Sequence, residues 1–415
     1  MYTCTVRPTD TVLCLSSTLG GIDPMRPLRV AVLDPGGFTP PYTHNLCSAL
    51  GQQGHNVRLF TSPSDFMTGS VSAPQTYCCE EFFYRWVTRT FEKGHVGRLP
   101  AKGLEHVWDS ARLVAALERW QPDVVHVQWF PLPLVDGLVF TRVSSIAPIV
   151  HTVHDSELLS QSRLSHLRQF RIDHLRRQSA HLIAHTEYTQ SNLLARREIE
   201  SASISIIPHG LLHRPRDPTS PRRDHYLYLS ADGDSRILFF GSIKPYKGLE
   251  TLVRAFSHMP REVQATTTLH VAGRARMDLG PIKELAAELD VADRIEWDLG
   301  HIDDVALRDA FDRATVVALP YRRIDQSGVL LTAIARGVPV VASTVGGFPE
   351  TIHDGTHGHL VPPNEPKAFG SALSRVLADH THRSQLETRM EALAREWPSW
   401  ETIAAETVSV YRQTL

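Results

Sequence analysis

Short apolar runs separated by helix-length segments recur along most of the chain. Runs rich in valine, isoleucine and leucine occur at 29–34, 56–60, 124–128, 148–153, 181–185 and 204–207, and again at 236–240, 268–272, 294–297, 315–319, 338–342 and 359–361. Continuous apolar strands that alternate with helices are typical of parallel sheets covered by helices on both faces. The pattern therefore predicts an α/β protein with two Rossmann-like, doubly wound parallel-sheet domains.

The two sets of predicted strands are separated by a segment without periodicity. Residues 213–234 are rich in proline, arginine and aspartate, which is typical of a linker. We therefore expect a first domain over 26–212 and a second over 235–395, facing one cleft at the carboxyl ends of their strands. Residues 1–25 precede the first predicted strand, and we expect them to form a disordered extension, with Met25 as an alternative start.

One segment of the second domain has the pattern of an anion-binding helix start. Between Pro320 and Gly337, Ser327 is a good N-cap, Gly328 allows a ligand to approach the backbone, and Gly337 ends the helix. The first turn of a helix presents unpaired N–H groups and a partial positive charge. The segment therefore suits a diphosphate.

A second segment, from Arg236 to Phe256, has a similar pattern. An apolar run ends in Gly241 and Ser242, Lys244 and Lys247 follow, and a helix is predicted to begin near Gly248. Each of the two segments alone is common in α/β proteins. Together they predict a nucleotide-sugar or a similar diphosphate ligand.

Composition narrows the classes of function. The chain has 415 residues, 42% of them hydrophobic, and 43 Lys and Arg against 45 Asp and Glu. This length allows two cores of roughly 200 residues each, and the charge balance gives no general attraction to nucleic acid. Cys4, Cys14, Cys47, Cys78 and Cys79 have no C-x-x-C spacing, and the first 25 residues lack a basic signal-peptide region, so we expect reduced thiols in a cytoplasmic protein.

Other kinds of site find little support in the sequence. The D-x-D sequence at 232–234 lies in the predicted linker rather than at a strand end, so we expect no metal site there. The chain has no G-x-S-x-G elbow, no Walker A sequence, and no apolar run of the roughly 18 residues that span a bilayer. Hydrolase and dehydrogenase functions are therefore disfavoured.

The two anion-binding segments, in this order, resemble the donor-binding domain of the retaining, metal-independent GT-B glycosyltransferases of family 4. The resemblance rests on the turn from Gly241 to Gly248, on Gln326 to Gly337, and on Val345 to Pro363. It continues in the first domain through five segments in the family's order: Leu28 to Phe60, Asp123 to Trp129, Ile149 to Asp155, Leu182 to Thr189 and Ile206 to Gly210. The end of the chain, 396–415, resembles the family's helix that crosses back to the first domain.

The resemblance implies roles in binding the donor. We expect Lys247 at the surface of the cleft, where it would neutralise the leaving diphosphate. Lys247 is therefore one of two candidates for a catalytic role; the other is His154. Where family members have an arginine after the first glycine of the turn, this chain has Ser242. Lys244 or Arg274 would therefore supply the cation. The remaining candidates for contact with the donor are Gly241, Gln326, Ser327, Gly328, Val329 and Thr332.

The resemblance also implies an acceptor side in the first domain, with Gly36, Gly37, Gln128 and His154 near the acceptor or the transferred sugar. His154 matches the family's active-site histidine, and its alternative role is to cap a strand through Asp155 or backbone. His151 is expected to be structural, His126 fits a core residue equally well, and His209 fits a turn residue near the hinge.

The chain departs from the family at an acidic pair. At the two positions where family members carry glutamates, this chain has Ile324 and Thr332, which puts the usual nucleotide geometry in doubt.

We predict transfer of a sugar from a nucleoside diphosphate to a hydroxyl-bearing glycan, lipid or small molecule. We expect no cofactor, no metal and no nucleic-acid partner, and peripheral membrane contact stays open. The alternatives are a sugar-nucleotide epimerase, a pseudo-glycosidic coupling enzyme, or a non-catalytic sugar-nucleotide-binding subunit.

Overall fold

The computed structural model describes residues 26–63, 76–92, 95–157, 165–196, 203–213 and 235–415. Its first half contains a sheet of seven strands in the order β3-β2-β1-β4-β5-β6-β7, in which all neighbours are parallel. The strands are Arg29–Asp34 (β1), Asn56–Thr61 (β2), Cys78–Glu81 (β3), Val124–Val127 (β4), Ile149–Val153 (β5), His181–Ala184 (β6) and Ile204–Ile206 (β7). The strand order reverses between β1 and β4, which creates a crevice at their carboxyl ends.

Helices connect and cover this first sheet. They are Pro40–Gln52 (α1), Arg85–Thr90 (α2), Arg98–Trp120 (α3), Pro133–Ser144 (α4), Ser165–Gln178 (α5) and Glu187–Leu194 (α6). Because every strand is parallel, a helix that links two strands runs back across the sheet. The amino ends of α3, α4 and α5 therefore lie at the same edge as the carboxyl ends of the strands.

The second sheet has six parallel strands in the order β10-β9-β8-β11-β12-β13. They are Ser235–Phe240 (β8), Thr267–Gly273 (β9), Ile295–Leu299 (β10), Val316–Leu319 (β11), Val340–Ser343 (β12) and Gly358–Val361 (β13). Its helices are Leu249–Ser257 (α7), Arg261–Ala265 (α8), Gly280–Glu288 (α9), Asp304–Asp312 (α10), Gly328–Arg336 (α11), Phe348–Thr351 (α12), Pro366–Ala378 (α13) and His380–Glu396 (α14). The order of this sheet reverses between β8 and β11.

The last helix, Trp400–Gln413 (α15), packs against α1 of the first half. Ile403, Ala404 and Tyr411 are fully buried in the apolar core beside β1 and α1. Two tryptophans join this end of the chain to the segment after β7, since the indole N–H of Trp397 donates to His209 O (3.0 Å) and that of Trp400 to Leu211 O (2.9 Å).

The predicted fold class is confirmed, with two doubly wound parallel sheets. Each predicted strand is present with ends shifted by a few residues, but β3 was not predicted. It is a short edge strand, Cys78–Glu81, with exposed and half-exposed positions, so it lacks an apolar run. The extension at 1–25 and the linker from 214 to 234 lie outside the described residues.

Candidate active site

A cleft of about 1190 Å³ lies between the two sheets, at the carboxyl ends of their strands. The first half contributes residues that follow β1, β4 and β5, together with one face of α5. The second half contributes the segments after β8 and β11. These two segments flank the point where the strand order reverses, which is where doubly wound sheets bind ligands.

Gly248 holds these two segments together. It has φ +70°, and a Cβ atom there would lie 2.0 Å from the carbonyl oxygen of Pro320. The turn at Pro245–Lys247 therefore packs against the end of β11 in a way that only glycine permits. As predicted, helix α7 begins immediately afterwards, and Leu249, Leu252, Val253 and Phe256 are all buried.

Lys247 lies between the two segments. The sequence predicts it at the surface of the cleft, but the structure places it one layer below that surface. Only 7% of the residue is exposed, and its Nζ lies 3.4 Å from Phe240 O and 5.2 Å from the ring centroid of Tyr321. A Cβ atom built on Gly241 would lie 3.1 Å from this Nζ and 3.4 Å from Cγ2 of Val329. Burial lowers the pKa of Lys247 to about 8.

The start of α11 forms the other half of the predicted donor site. Ser327 is the N-cap, as predicted, and its Oγ accepts from the amide of Leu330 (3.4 Å); Gly337 ends the helix at φ +67°. Within the described residues, the backbone amides of Gly328 and Val329 donate no hydrogen bond. Oε1 of Gln326 is buried without a hydrogen-bond partner, although Gln326 lines the cleft. These groups can bind oxygen atoms of a ligand.

The other predicted donor residues lie at different depths. Lys244 lines the cleft and is exposed. Ser242 and Arg274 do not line the cleft, and the arginine of this region that does line it is Arg276. The hydroxyl of the buried Thr332 donates to Gly328 O (2.8 Å), so it faces its own helix.

His154 closes the cleft on the side of the first domain. Its ring stacks on Trp129, with centroids 5.0 Å apart and planes at 11°, and the ring of Tyr42 meets its edge at 4.9 Å. Gly36 and Gly37 lie in the turn after β1, where Gly37 has φ +55° and the ring of Phe38 covers Gly36. The neighbours Phe38 and Thr39, rather than the two glycines, line the cleft.

Both ring nitrogens of His154 contact other side chains. Nε2 lies 2.9 Å from Oε1 of Gln128, and Nδ1 lies 3.3 Å from Nε2 of His185. Gln128 is fully buried and lies behind His154, outside the lining of the cleft. The structure therefore places Gln128 where it supports His154, one layer deeper than a residue that touches a sugar.

These contacts belong to a longer chain of polar side chains. Nδ1 of His185 lies 2.9 Å from Ile207 O and must donate, because a carbonyl only accepts. Burial lowers the pKa of His185 to about 4, so the ring is neutral and its Nε2 carries no proton. Nε2 of His154 donates to Oε1 of Gln128, and Nε2 of Gln128 lies 3.2 Å from Nε2 of His126 and donates to it. Beyond Gln128 the chain continues through His126, whose Nδ1 lies 2.6 Å from the hydroxyl of Tyr411.

The remaining histidines have structural surroundings. His126 is buried between Tyr411 and Thr152, and His209 bonds its own turn at Gly210 O (2.7 Å). His151 is 3% exposed and packs against Phe130, but it also lines the cleft, and its Nδ1 has no hydrogen-bond partner.

The sequence interpretation missed several residues of the cleft. Asp155 directly follows His154, and burial together with the nearby Asp325 raises its pKa to about 6. Arg176 donates to Asp155 O (2.6 Å) and Ser156 O (2.7 Å). The position of Asp155 at a strand end was visible in the sequence, but the approach of Arg176 from α5 was not.

Two carboxylates of the second domain bond to the first domain. Asp325, which is 5% exposed, accepts from the amide of Ser156 (2.6 Å) and from the hydroxyl of Thr189 (3.0 Å). Glu350 accepts from the amides of Glu187 (2.7 Å) and Tyr188 (2.6 Å), at the start of α6. The cleft is therefore held in a closed arrangement.

Among the described residues, no group of three or more His, Cys, Asp or Glu side chains is placed to hold a metal ion. None of the helices in the described part of the chain is both long enough and apolar enough to cross a membrane.

Comparisons with known proteins agree with this architecture. Residues 234–379 match the family described as "Glycosyl transferases group 1", and residues 41–211 match "Glycosyltransferase Family 4". The chain is 29% identical over 406 residues to a D-inositol 3-phosphate glycosyltransferase of Xylanimonas cellulosilytica, which covers 92% of each chain.

Solved structures share the fold. Sucrose-phosphate synthase from Thermosynechococcus elongatus superposes with a TM-score of 0.71 at 22% identity, covering 93% of this chain and 98% of that one. Anabaena HepE in complex with UDP and glucose superposes with a TM-score of 0.70 at 19% identity, covering 92% of this chain and 99% of that one.

Proposed function

The chain belongs to glycosyltransferase family 4 and is a glycosyltransferase, and we propose that it transfers a sugar from a nucleoside diphosphate donor to a hydroxyl of its acceptor, with retention and without a metal ion. The observation that carries this proposal is the buried ammonium of Lys247 between Gly241 and Val329. A desolvated cation at the meeting point of two anion-binding turns suits a diphosphate.

The proposed donor half stabilises the leaving group. As the bond from the anomeric carbon to the phosphate oxygen breaks, negative charge builds on the diphosphate. Lys247, Lys244 and the amides of Gly328 and Val329 would stabilise that charge. With retention, the acceptor hydroxyl approaches from the face that the diphosphate leaves. The departing phosphate oxygen would then accept the proton of the hydroxyl as the new bond forms.

The proposed acceptor half is the wall around His154. Because both nitrogens of His154 contact Gln128 and His185, a bound hydroxyl would reach the ring only by sharing one of these hydrogen bonds. His154 would thus place the sugar or the acceptor mainly through the position of its ring. Phe38 and Thr39, which follow the turn at Gly36 and Gly37, would contact the acceptor.

The missing acidic pair changes the expected binding of the nucleotide. Ile324 presents an apolar side chain to the cleft, and the hydroxyl of Thr332 bonds within α11. Neither can bind a ribose as a carboxylate does, so Gln326, with its unpartnered Oε1, is proposed to make the new polar contact. An epimerase or a pseudo-glycosidic coupling enzyme would use the same donor half, so analysis of the products separates them.

A donor and acceptor panel tests the proposal. Thermal unfolding with UDP, GDP, ADP and dTDP sugars should identify the donor, because a ligand at a hundred times its Kd adds about 2.7 kcal/mol of stability. The matching donor is then incubated with acceptors that include inositol 3-phosphate, since relatives carry that name. We expect a glycosylated product with the donor's anomeric configuration by NMR. A donor converted to its epimer, or an inverted product, would overturn the proposal.

A further inference from the structure

The second and third helices of the first domain expose an apolar surface beside the cleft. Helix α3 carries Leu104, Val107, Trp108 and Ala111 at the spacing of one helical face, and all four are exposed. Leu104 is 76% and Trp108 is 69% exposed. Leu99 in the first turn of α3 is also exposed, as are Trp86 and Val96 in the helix and loop before it.

The orientation of α3 is fixed by polar contacts on its buried face. His106 is fully buried and contacts the hydroxyl of Tyr84 (2.7 Å) and Oδ1 of Asp136 (2.7 Å). Asp109 accepts from the amide of Tyr84 (2.9 Å). A rotation that hid the apolar stripe would break these buried hydrogen bonds, which is costly. In its amino half the helix therefore buries polar groups and presents apolar ones outward, the reverse of an ordinary surface helix.

The exposed apolar surface continues towards the cleft. Helix α4 packs against both α3 and α5, and it exposes Leu134 and Leu138 near its amino end. Helix α5 exposes Leu167 and Phe170, and its residues Arg168 and Gln169 line the cleft. Because the amino ends of these helices lie at the carboxyl edge of the sheet, the surface and the cleft share one edge of the molecule.

Charge selects the kind of partner that this surface fits. Between Arg85 and Arg112, the exposed residues that the structure describes include three arginines, Arg85, Arg89 and Arg112, and a single acid, Glu92; Arg112 also pairs with the buried Asp109 (3.0 Å). The chain as a whole has a formal net charge of −2, so this excess of cations is local. Exposed tryptophans and leucines flanked by arginines match the interface of a bilayer with anionic headgroups.

We propose that this surface, formed by α2, Val96 and the amino halves of α3, α4 and α5, docks on an anionic lipid bilayer. The apolar side chains would enter the headgroup region and the arginines would contact lipid phosphates. The cleft would then open beside the membrane. The proposal does not depend on the identity of the donor or the acceptor.

Co-sedimentation with vesicles tests the docking surface. The full chain is mixed with sucrose-loaded vesicles of phosphatidylcholine, alone or with an equal part of phosphatidylglycerol, at low and at high salt. We expect binding to the anionic vesicles that weakens with salt. The double variant Leu104→Gln/Trp108→Gln should bind about tenfold more weakly. Val305→Gln is the matched control, because Val305 is 68% exposed on α10 of the second domain.

A second pair of variants tests the charge. Arg85→Gln/Arg89→Gln should lose most of the preference for anionic lipid, while Arg261→Gln/Lys367→Gln, on the second domain, should keep it. Circular dichroism and the thermal midpoint confirm that each variant is folded. Absence of binding by the wild type, or an equal loss in the Val305 control, would overturn the proposal. So would light scattering that shows a dimer abolished by Leu104→Gln/Trp108→Gln without any vesicle binding, since the surface would then join two copies of the chain.

Discussion

At the scale of single residues, Lys247 combines two properties that rarely occur together. Its ammonium is almost completely buried, yet the described residues give it one carbonyl, Phe240 O, and an aromatic ring rather than a carboxylate. A buried cation without an anion is costly, and it gains most from an anionic ligand. The site is therefore prepared for negative charge before the donor arrives.

Replacement of Lys247 should affect turnover more than folding. Lys247→Met keeps an apolar stem of similar length and removes the charge, so we expect kcat to fall by two to three orders of magnitude, about 3 to 4 kcal/mol in the barrier. The thermal midpoint should stay the same or rise, since a buried charge is lost. Steady-state kinetics with the identified donor checks this. Kinetics like those of the wild type would mean that the lysine has no role in catalysis.

The lowered pKa of Lys247 predicts a pH dependence of donor binding. The diphosphate needs the protonated amine, so its Kd should increase as the pH rises through about 8, by at most tenfold per unit. Near pH 8 binding should take up a proton, which calorimetry in two buffers of different ionisation enthalpy detects. Lys247→Arg, which does not titrate there, should remove the dependence. A Kd that stays constant from pH 7 to pH 9.5 would contradict the assignment.

The same shift has the opposite consequence for folding. Between about 8 and the ordinary 10.5, the unfolded chain holds this proton and the folded chain does not. The contribution of Lys247 to the free energy of unfolding therefore becomes more favourable as the pH rises through this window.

His154 should act on the sugar side without affecting the nucleotide. His154→Ala removes the ring between Trp129 and Tyr42, so we expect a strong decrease in turnover. The Kd for the nucleoside diphosphate should change by less than about twofold, or roughly 0.4 kcal/mol. Calorimetry and kinetics on one preparation test both. Loss of diphosphate binding in a folded variant would show that the two domains do not divide the substrate in this way.

The sequence located parts of this site but not their depth. Lys247 and Gln128 were expected at the cleft, and the structure places both below its surface, because a strand-end position does not reveal which side chain covers another. Asp155 lies in a segment that the sequence singled out, yet its raised pKa comes from burial between the domains and from Asp325, which is 170 residues away in the chain. Such pairings arise from the packing of the two domains.

At the scale of elements, the ends of helices and strands decide the chemistry. The start of α11 lies close to Lys247, since a Cβ atom built on Gly241 would lie 3.1 Å from Nζ of Lys247 and 3.4 Å from Cγ2 of Val329. A helix start carries about half a positive charge. Together with the lysines it could replace a metal ion at the leaving diphosphate.

Metal independence follows from these elements as a prediction. Activity in excess EDTA should equal activity with added Mg²⁺ or Mn²⁺ within about twofold, since amides and lysines supply the positive charge. Assays after dialysis against EDTA measure this. A complete loss that either cation restores would show that a metal takes part.

The elements were also the most predictable part of the fold. Buried strands such as β4, β5 and β12 are rich in valine and isoleucine, and the capped helix α11 has its signals at both ends. Strand β3 lacked such a run because it pairs only at the edge of the sheet. The outward apolar stripe of α3 was likewise unpredictable, since periodicity alone does not tell which face of a helix is buried.

At the scale of the whole molecule, Asp325 and Glu350 hold the two domains together. Of these two carboxylates, Asp325 is expected to contribute more to closure of the domains, because it is buried and lies next to Gln326 in the cleft wall. Its carboxylate accepts from Ser156, directly after Asp155, so closure of the domains and the arrangement of the site are coupled. We expect an open form in equilibrium with this closed one.

Loss of the Asp325 carboxylate should favour the open form. Asp325→Asn removes the negative charge from Oδ2, the one oxygen that accepts from both Ser156 and Thr189, which should weaken closure by about 1 to 3 kcal/mol, or roughly 5- to 150-fold. Small-angle scattering should show a larger radius of gyration, partly restored by the donor. Glu350→Gln, at an exposed pair of amides, should have the smaller effect. Identical scattering curves for wild type and Asp325→Asn would contradict this role.

The position of α15 has a consequence for the synthesis of the protein. Ile403, Ala404 and Tyr411 complete the core of the first domain, but the ribosome makes them only after the entire second domain. At the usual 5–20 residues per second, the first domain waits on the order of ten seconds or more for its last helix. During that interval the apolar face of α1 is uncovered on the nascent chain. A chaperone that binds this face would have to release it only once translation is complete.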